Sequence, residues 1–514
     1  MNWKKIWKYI LVMLTVGFVL LWYFSERKIK RIYGDLTEEV VTDKFLLDAH
    51  PVLIKNISVL SQDGKRFVPH QSVLVKEGLI VSIDSIIDHS QDAKIIDGAD
   101  KFLIPGLIDS HVHLLKSPND LLLYIANGVT EIREMMGDEV HLQWRQEIEQ
   151  GKRIGPDMYI ASPRIGSFGK VEGWFMNWTQ GFESVKNEKE AKLLVAEMAE
   201  KGYDGIKIYS QLNADGYKSI NALAPKSNLD VIGHIPFSVD LEDFLMSNQE
   251  EVAHLEELMK PILWENGGFD GIKNQTDAND FLAAVNKKTR ELAPRLAEKD
   301  IAITTTLWLM ESFVKQKFNI DQILSEVELT YVNPGLSEWD ENIPGLGWLP
   351  TVNRYRILDV ETFTPSQLER IKIFWNAYAE ACRITLRNLN ENGVRILAGT
   401  DANVPCAVPG FSLHSELVSL REAGMSPAEV LHSVTSAPGE WLGKNTGVLK
   451  KGAKANLVIL DKDPLMDIVN TRSINSVMVN GRFYEKSVLN DMLNAVKNNN
   501  EASRTVDITK YTKE

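Results

Sequence analysis

Cysteine is almost absent from this chain of 514 residues. The two that occur, Cys382 and Cys406, have no CxxC spacing, which excludes a disulfide framework and a cysteine-based zinc site. Excess positive charge is lacking as well: 57 basic residues face 70 acidic ones, a net charge of −13. Phosphate recognition needs a basic face, so no nucleic acid partner is expected. There is no sequence repeat, and no low-complexity tract apart from Asn498-Asn499-Asn500. At 44% apolar and 25% charged residues, the composition is that of a folded chain. Its length exceeds what one small core needs, so two folded units plus extensions are expected.

One long apolar run is present, Ile6–Phe24, with Lys8 its only charge. As a helix it spans about 28 Å, close to the thickness of the bilayer hydrocarbon. Trp7, Tyr9, Trp22 and Tyr23 stand near its ends, where amphipathic rings favour the interface. No small-x-small cleavage site and no lipid-accepting cysteine follow, so an uncleaved anchor over residues 1–31 is preferred to a signal peptide. Lys4, Lys5 and Lys8 are balanced by Arg27, Lys28, Lys30 and Arg31, so charge leaves the orientation open. A single N-terminal span points to an extracytoplasmic catalytic domain, periplasmic in a bacterium.

Val- and Ile-rich segments at 50–104 return only at 444–486, which predicts one small β-sandwich domain built from both ends. The centre, 105–443, alternates short apolar runs with amphipathic stretches such as Glu188–Lys201 and Pro427–Thr435. That βαβα rhythm predicts an α/β fold, a TIM (β/α)8 barrel with its sheet parallel. A plain barrel takes roughly 250 residues, which leaves room for an insertion at about 260–360. Trp339, Trp348 and the turns Asn333-Pro334-Gly335 and Ile343-Pro344-Gly345 fall in it. Residues 487–514 read as a polar tail.

Pro105-Gly106-Leu107-Ile108-Asp109-Ser110-His111-Val112-His113 ends an apolar run in His-x-His. Side chains alternate along a strand, so His111 and His113 point the same way and can meet one cation. Lys207 lies inside an apolar strand pattern, where an unpaired ammonium is costly; it must bond a carboxylate or be chemically altered. His234, His254 and Asp401 each close a short apolar run. Singly, each is an ordinary rim histidine, a turn aspartate or a snorkelling lysine. Together they put competent metal ligands at the strand ends where barrel enzymes carry their chemistry.

The order His-x-His, Lys, His, His, Asp resembles the binuclear branch of the amidohydrolase superfamily. Gly128-Val129-Thr130, Ser436-Ala437-Pro438, the segment Gly447–Leu460 and the Val479-Asn480-Gly481 turn extend the resemblance over roughly residues 50–486. Within the superfamily the chain is most similar to the imidazolonepropionase-like and membrane-associated prolidase or carboxypeptidase group. The resemblance implies a carbamate on Lys207, derived from carbon dioxide, bridging two divalent metal ions, with zinc expected from the ligand type. His111, His113 and Asp401 would hold one metal, and His234 and His254 the other. A bridging hydroxide would attack the carbonyl carbon, with Asp401 as the catalytic proton carrier. Arg133 and Tyr209 are candidates for holding a substrate carboxylate. The Gly-Gly-His element common in that group is replaced here by Ser162-Pro163-Arg164-Ile165-Gly166. His414 is read as a turn residue opening a helix. The expected function is hydrolysis of a C–N bond in a small amide, such as a dipeptide. The alternatives are opening of a cyclic amide (a lactam or imidazolone ring) and a non-catalytic membrane-tethered binding protein. The sequence leaves the oligomeric state open.

Overall fold

The structure, a computed structural model, describes residues 3–88, 92–340, 346–357 and 360–512. The Ile343-Pro344-Gly345 turn lies outside them. The protein is α/β, and its first element is a helix, Trp3–Ile32, longer than the apolar run that seeds it. The helix is long and apolar enough to cross a bilayer, and its apolar window packs against nothing. Leu11, Met13, Phe18 and Leu21 all face outward. Exposed apolar surface on this scale, near the N-terminus, fits a membrane span or a signal sequence.

Strands β1 (Val52–Leu60), β2 (Phe67–Lys76), β3 (Leu79–Asp84), β4 (Lys94–Asp97) and β5 (Phe102–Pro105) precede the central region. Strands β16 (Leu457–Leu460), β17 (Ile474–Val479) and β18 (Arg482–Glu485) follow it. All eight join in one mixed sheet, in the order β18-β17-β16-β5-β1-β2-β3 with β4 on β1. The seam between the two chain ends is the antiparallel pair β16–β5, in which Val458 opposes Ile104 and Ile459 opposes Leu103. These four are buried and β-branched or leucine, the residues that pack best on a pleated surface.

Between the two sets run the strands that position the site: β6 (Leu107–Val112), β7 (Val129–Glu134), β8 (Asp157–Ile160), β9 (Arg164–Gly166), β10 (Phe182–Ser184), β11 (Gly205–Ile208), β12 (Asp230–Gly233), β13 (Glu251–Ala253), β14 (Ala302–Thr304) and β15 (Ile396–Leu397). They form two parallel sheets, β6-β7-β8 and β10-β9-β11-β12-β13-β14-β15. Both ends of the shorter sheet are tied to the longer one. Ser162 N donates to Gly205 O at 2.8 Å and Asp204 N to Ile160 O at 2.9 Å. Ser110 N donates to Ala398 O at 3.0 Å, and Val112 bridges Ala402 in parallel. Strands β6, β7 and β11 are buried along their whole length, as expected of parallel strands covered on both faces.

The helix Glu188–Lys201 has the predicted bounds, capped by Asn187 and ended by Gly202 in the left-handed region. The extra length after His254 is largely helical, including Gln275–Glu298 before β14 and Leu307–Phe318, Pro334–Glu338 and Pro365–Glu391 after it. Residues read as a polar tail fold into the helix Lys486–Ser503, with Leu489, Met492 and Val496 buried. The spacing of these three residues puts them on one helical face, although asparagine and charge dominate the composition around them.

A buried carboxylate fastens the start of Leu307–Phe318. Glu416, on the helix Phe411–Glu422, accepts from Leu307 N at 2.9 Å, Trp308 N at 2.7 Å and the Thr305 hydroxyl. Burial pushes its carboxyl up to about 7, against the pull of these donors. The folded chain therefore holds a proton that the unfolded chain releases above its ordinary value near 4.5. This contribution to stability is full below that value and fades as pH rises through about 7. Glu416→Gln keeps one of the two acceptor oxygens and removes the titration. Its melting temperature should fall less than the parent's between pH 5 and pH 8; equal falls would contradict this account.

Candidate metal centre

The histidines, the lysine and the aspartate singled out by sequence meet at the C-terminal ends of the parallel strands. His111 is on β6 and His113 directly follows it; Lys207 is on β11; His234 and His254 directly follow β12 and β13. Asp401 lies in the loop after β15. Lys207 Nζ is 3.4 Å from His111 Nε2. Asp401 Oδ1 is 2.8 Å from His113 Nε2 and 3.4 Å from His111 Nε2. The rings of His111 and His254 are 4.6 Å apart between centroids, and those of His234 and His254 are 5.1 Å apart. His111, His254 and Asp401 each offer a ligand atom, all within 4.8 Å of one another.

The backbone is shaped to bring these groups together. Asp401 N donates to His111 O at 2.8 Å. Asp109 accepts from Thr400 N at 3.1 Å and from Thr400 Oγ1 at 2.8 Å, so the β6 strand and the loop after β15 move as one. Gly399 makes the approach possible, because a Cβ there would stand 2.9 Å from the His111 backbone nitrogen. Asp401 and His254 adopt φ of 58° and 78°. A left-handed histidine is strained, by about 1–3 kcal/mol, and such strain clusters at functional sites.

Burial sets the charge states. It lowers the imidazoles of His111 and His234 well below their usual range and brings His254 to about 3. It also brings the Lys207 amine down to about 8. Burial works against ionisation of Asp401, but the His113 contact and the neighbouring cationic groups outweigh it and hold its carboxyl below the ordinary value. Burial also works against a charged His113, but its contacts with Asp401 and Glu134 outweigh it and raise that imidazole. Three neutral imidazoles beside an ionised carboxylate form a donor set suited to a divalent cation.

Two of the rings are oriented from behind. Glu257 Oε1 lies 2.7 Å from His234 Nδ1, and a carboxylate can only accept, so Nδ1 carries the proton and Nε2 keeps its lone pair. Thr306 Oγ1 lies 2.8 Å from His254 Nδ1. His111 Nδ1 and His113 Nδ1 are buried with no hydrogen-bond partner among the described residues. Orphaned buried nitrogens of this kind fit a site completed by a metal.

Tyr209 lies beside the cluster, its ring centroid 4.4 Å from that of His234. Arg133 is wholly buried, its guanidinium 4.1 Å over Trp441 and 3.9 Å from Glu251, with no hydrogen-bond partner among the described residues. Arg164, which the sequence reading did not select, is the arginine near Tyr209, with its guanidinium 5.4 Å from that ring and 4.2 Å over Phe182. His414 is buried away from the cluster, bonded to Thr471 Oγ1 and Asn127 O.

Residues 362–484 match the amidohydrolase family. A dihydroorotase from Carboxydothermus hydrogenoformans is 49% identical over 63 residues, 12% of this chain and 14% of that protein. The chain thus spans about one-seventh of the length of the curated relative it matches. Bottromycin amidohydrolase has the same fold, with a TM-score of 0.66 at 19% identity, covering 91% of this chain and 96% of that one. A Xaa-Pro dipeptidase with methionine bound in its active site gives 0.58 at 18% identity, over 85% of this chain and 100% of the other. Residues 362–484 thus carry the sequence pattern of the amidohydrolase family, and the chain shares its fold with these solved structures.

Removing the group behind a metal-binding imidazole typically weakens metal affinity about 10–100-fold. Glu257→Ala and Thr306→Val should each weaken zinc binding by that factor in a chelator competition. Unchanged affinity in both would show that these contacts do not orient ligands.

Proposed function

We propose that the protein is a membrane-tethered, metal-dependent hydrolase that cuts a C–N bond of a small amide, such as a dipeptide with a free C-terminus. The observation that carries this is the gathering of four histidines, Lys207 and Asp401 at the ends of parallel strands. We read β6, β7, β8, β11, β12, β13, β14 and β15 as one closed eight-stranded barrel, with β9 and β10 as an addition beside β11 and with 50–104 and 444–486 as a second domain. The helix Trp3–Ile32 is the anchor, and the catalytic domain is extracytoplasmic.

His111, His113 and Asp401 would hold one divalent ion and His234 and His254 a second, zinc being the metal that best suits these ligands. Such ions, when bound, polarise a carbonyl and make a water more acidic. Lys207 is suited to take up carbon dioxide. Burial draws its amine towards the neutral, nucleophilic form, and N–C bond formation releases one proton and leaves an anionic carbamate facing the ligand cluster. Asp401, held at His113 and His111, carries a proton from the attacking water to the leaving nitrogen. Arg164 with Tyr209 offers the mouth a cation and a hydroxyl for a substrate carboxylate, in place of the buried Arg133. A second reading, opening of a cyclic amide by the same residues, is favoured by the likeness to dihydroorotase.

The test is metal content of the full chain and of Lys207→Ala, both purified with bicarbonate, followed by a panel of dipeptides and cyclic amides. Two metals in the parent, a clear loss in the variant and turnover of a panel member are expected. One metal indifferent to the mutation would overturn the carbamate bridge. A metal-loaded protein inert to the whole panel would favour a binding role. On an acidic dipeptide substrate, Arg164→Met should raise KM about tenfold or more with a smaller change in kcat; an unchanged KM would remove Arg164 from the pocket.

A further inference from the structure

The helix Lys170–Gln180, between β9 and β10, carries an apolar face that the chain leaves bare. Val171 is 82% exposed, Trp174 64% and Phe175 50%. Their spacing, with Trp178, follows one side of the helix. A soluble protein gains nothing from such a row of large aromatic side chains in water.

The bare face has a neighbour that says what covers it. Trp178 Nε1 donates to Glu26 Oε2 at 3.0 Å, and the Tyr33 hydroxyl donates to Thr179 O at 2.8 Å. Glu26 is two residues past Phe24, where the apolar run of the N-terminal helix ends and its charged segment begins. At 1.5 Å per residue, that contact lies about 3 Å beyond the apolar run, the level of lipid headgroups. Trp174 stacks on Trp178 with centroids 5.6 Å apart, so the aromatic row continues outward from the anchor at that same level. Tryptophan prefers this depth because its ring is apolar and its N–H is not.

We propose that the exposed face of Lys170–Gln180 lies in the interface of the bilayer that holds Trp3–Ile32, as a second membrane contact. The proposal rests on the membrane reading of the N-terminal helix given above. Its consequence is orientation. Lys116 N, three residues beyond His113, donates to Tyr33 O at 2.9 Å, so the anchor leaves the membrane beside the ligand cluster. Phe237, three residues beyond His234, is 66% exposed on the same rim. With two contacts, the mouth of the strand ring is turned towards the membrane surface rather than swinging on a single tether.

The test uses the full chain in vesicles of phosphatidylethanolamine and phosphatidylglycerol. Both native cysteines are buried, so one introduced cysteine takes an environment-sensitive fluorophore selectively. Val171→Cys is compared with Met466→Cys, which is 81% exposed on the loop between β16 and β17, and with Phe18→Cys in the anchor. The quenchers are lipids with a nitroxide at a shallow or a deep chain position. The expected result is deep quenching at 18, at least twofold shallow quenching at 171, and little at 466. Quenching at 18 with none at 171 beyond that at 466 would overturn the second contact and leave the anchor standing. No quenching at 18 or 171 would overturn both. A label at 171 that is shielded from water yet blind to lipid quenchers would show a protein covering the face, and would overturn the proposal too.

Discussion

The join between the first and last parallel strands holds the site together. Asp109 and Thr400 are almost three hundred residues apart, yet both are buried and they share two hydrogen bonds. Through them the β6 backbone, which carries His111, is locked to the loop that carries Asp401. Gly399 lets the two backbones close to a distance no side chain would allow. If this join loosened, the His111–Asp401 spacing would no longer be set, and the other ligands would converge on nothing. A bond between distant segments is entropically costly to form, and the buried strands on either side repay that cost through packed apolar area.

Burial has opposite effects on the two kinds of group in the cluster, and both effects favour the same chemistry. It strips protons from His111, His234 and His254 and weakens the hold of Lys207 on its own, while the contact with His113, whose imidazole is raised in turn, keeps Asp401 ionised. The outcome is a pocket of lone pairs with no hydrogen bonds to occupy all of them, the condition in which a cation is more stabilising than water. Glu257 and Thr306 act in the same direction, fixing which nitrogen of each ring looks inward.

The residues that gather in the cluster were legible in the sequence because the histidines and Asp401 close short apolar runs and Lys207 interrupts one, and strand periodicity assigns a side chain to a face. On β7 every residue is buried, so periodicity alone does not say whether Arg133, which lies over Trp441, also faces the cluster. Arg164 was passed over because its partner Tyr209 comes from another strand, and no local pattern links them. Glu257 follows His254 in sequence but serves His234, a cross-connection that only the neighbouring strands create. The helix Lys486–Ser503 was hidden by its asparagines, since three buried apolar residues in eighteen leave composition polar.

The insertion after β14 also has a structural task that its sequence does not announce. Glu338 ends the short helix Pro334–Glu338 and is nearly buried. It accepts from Arg31 of the N-terminal helix at 2.8 Å and from Thr505 N of the C-terminal segment at 3.1 Å. Lys28 pairs with Asp340 at 2.7 Å, and Asn333 bonds Gly34 O and Ser117 Oγ. Surface ion pairs alone are worth little, but a carboxylate buried among three chain segments is costly to separate from any of them. The end of the N-terminal helix is therefore packed into the fold near the segment that follows His113. Any force that fixes Trp3–Ile32 in space also fixes the direction in which the site opens.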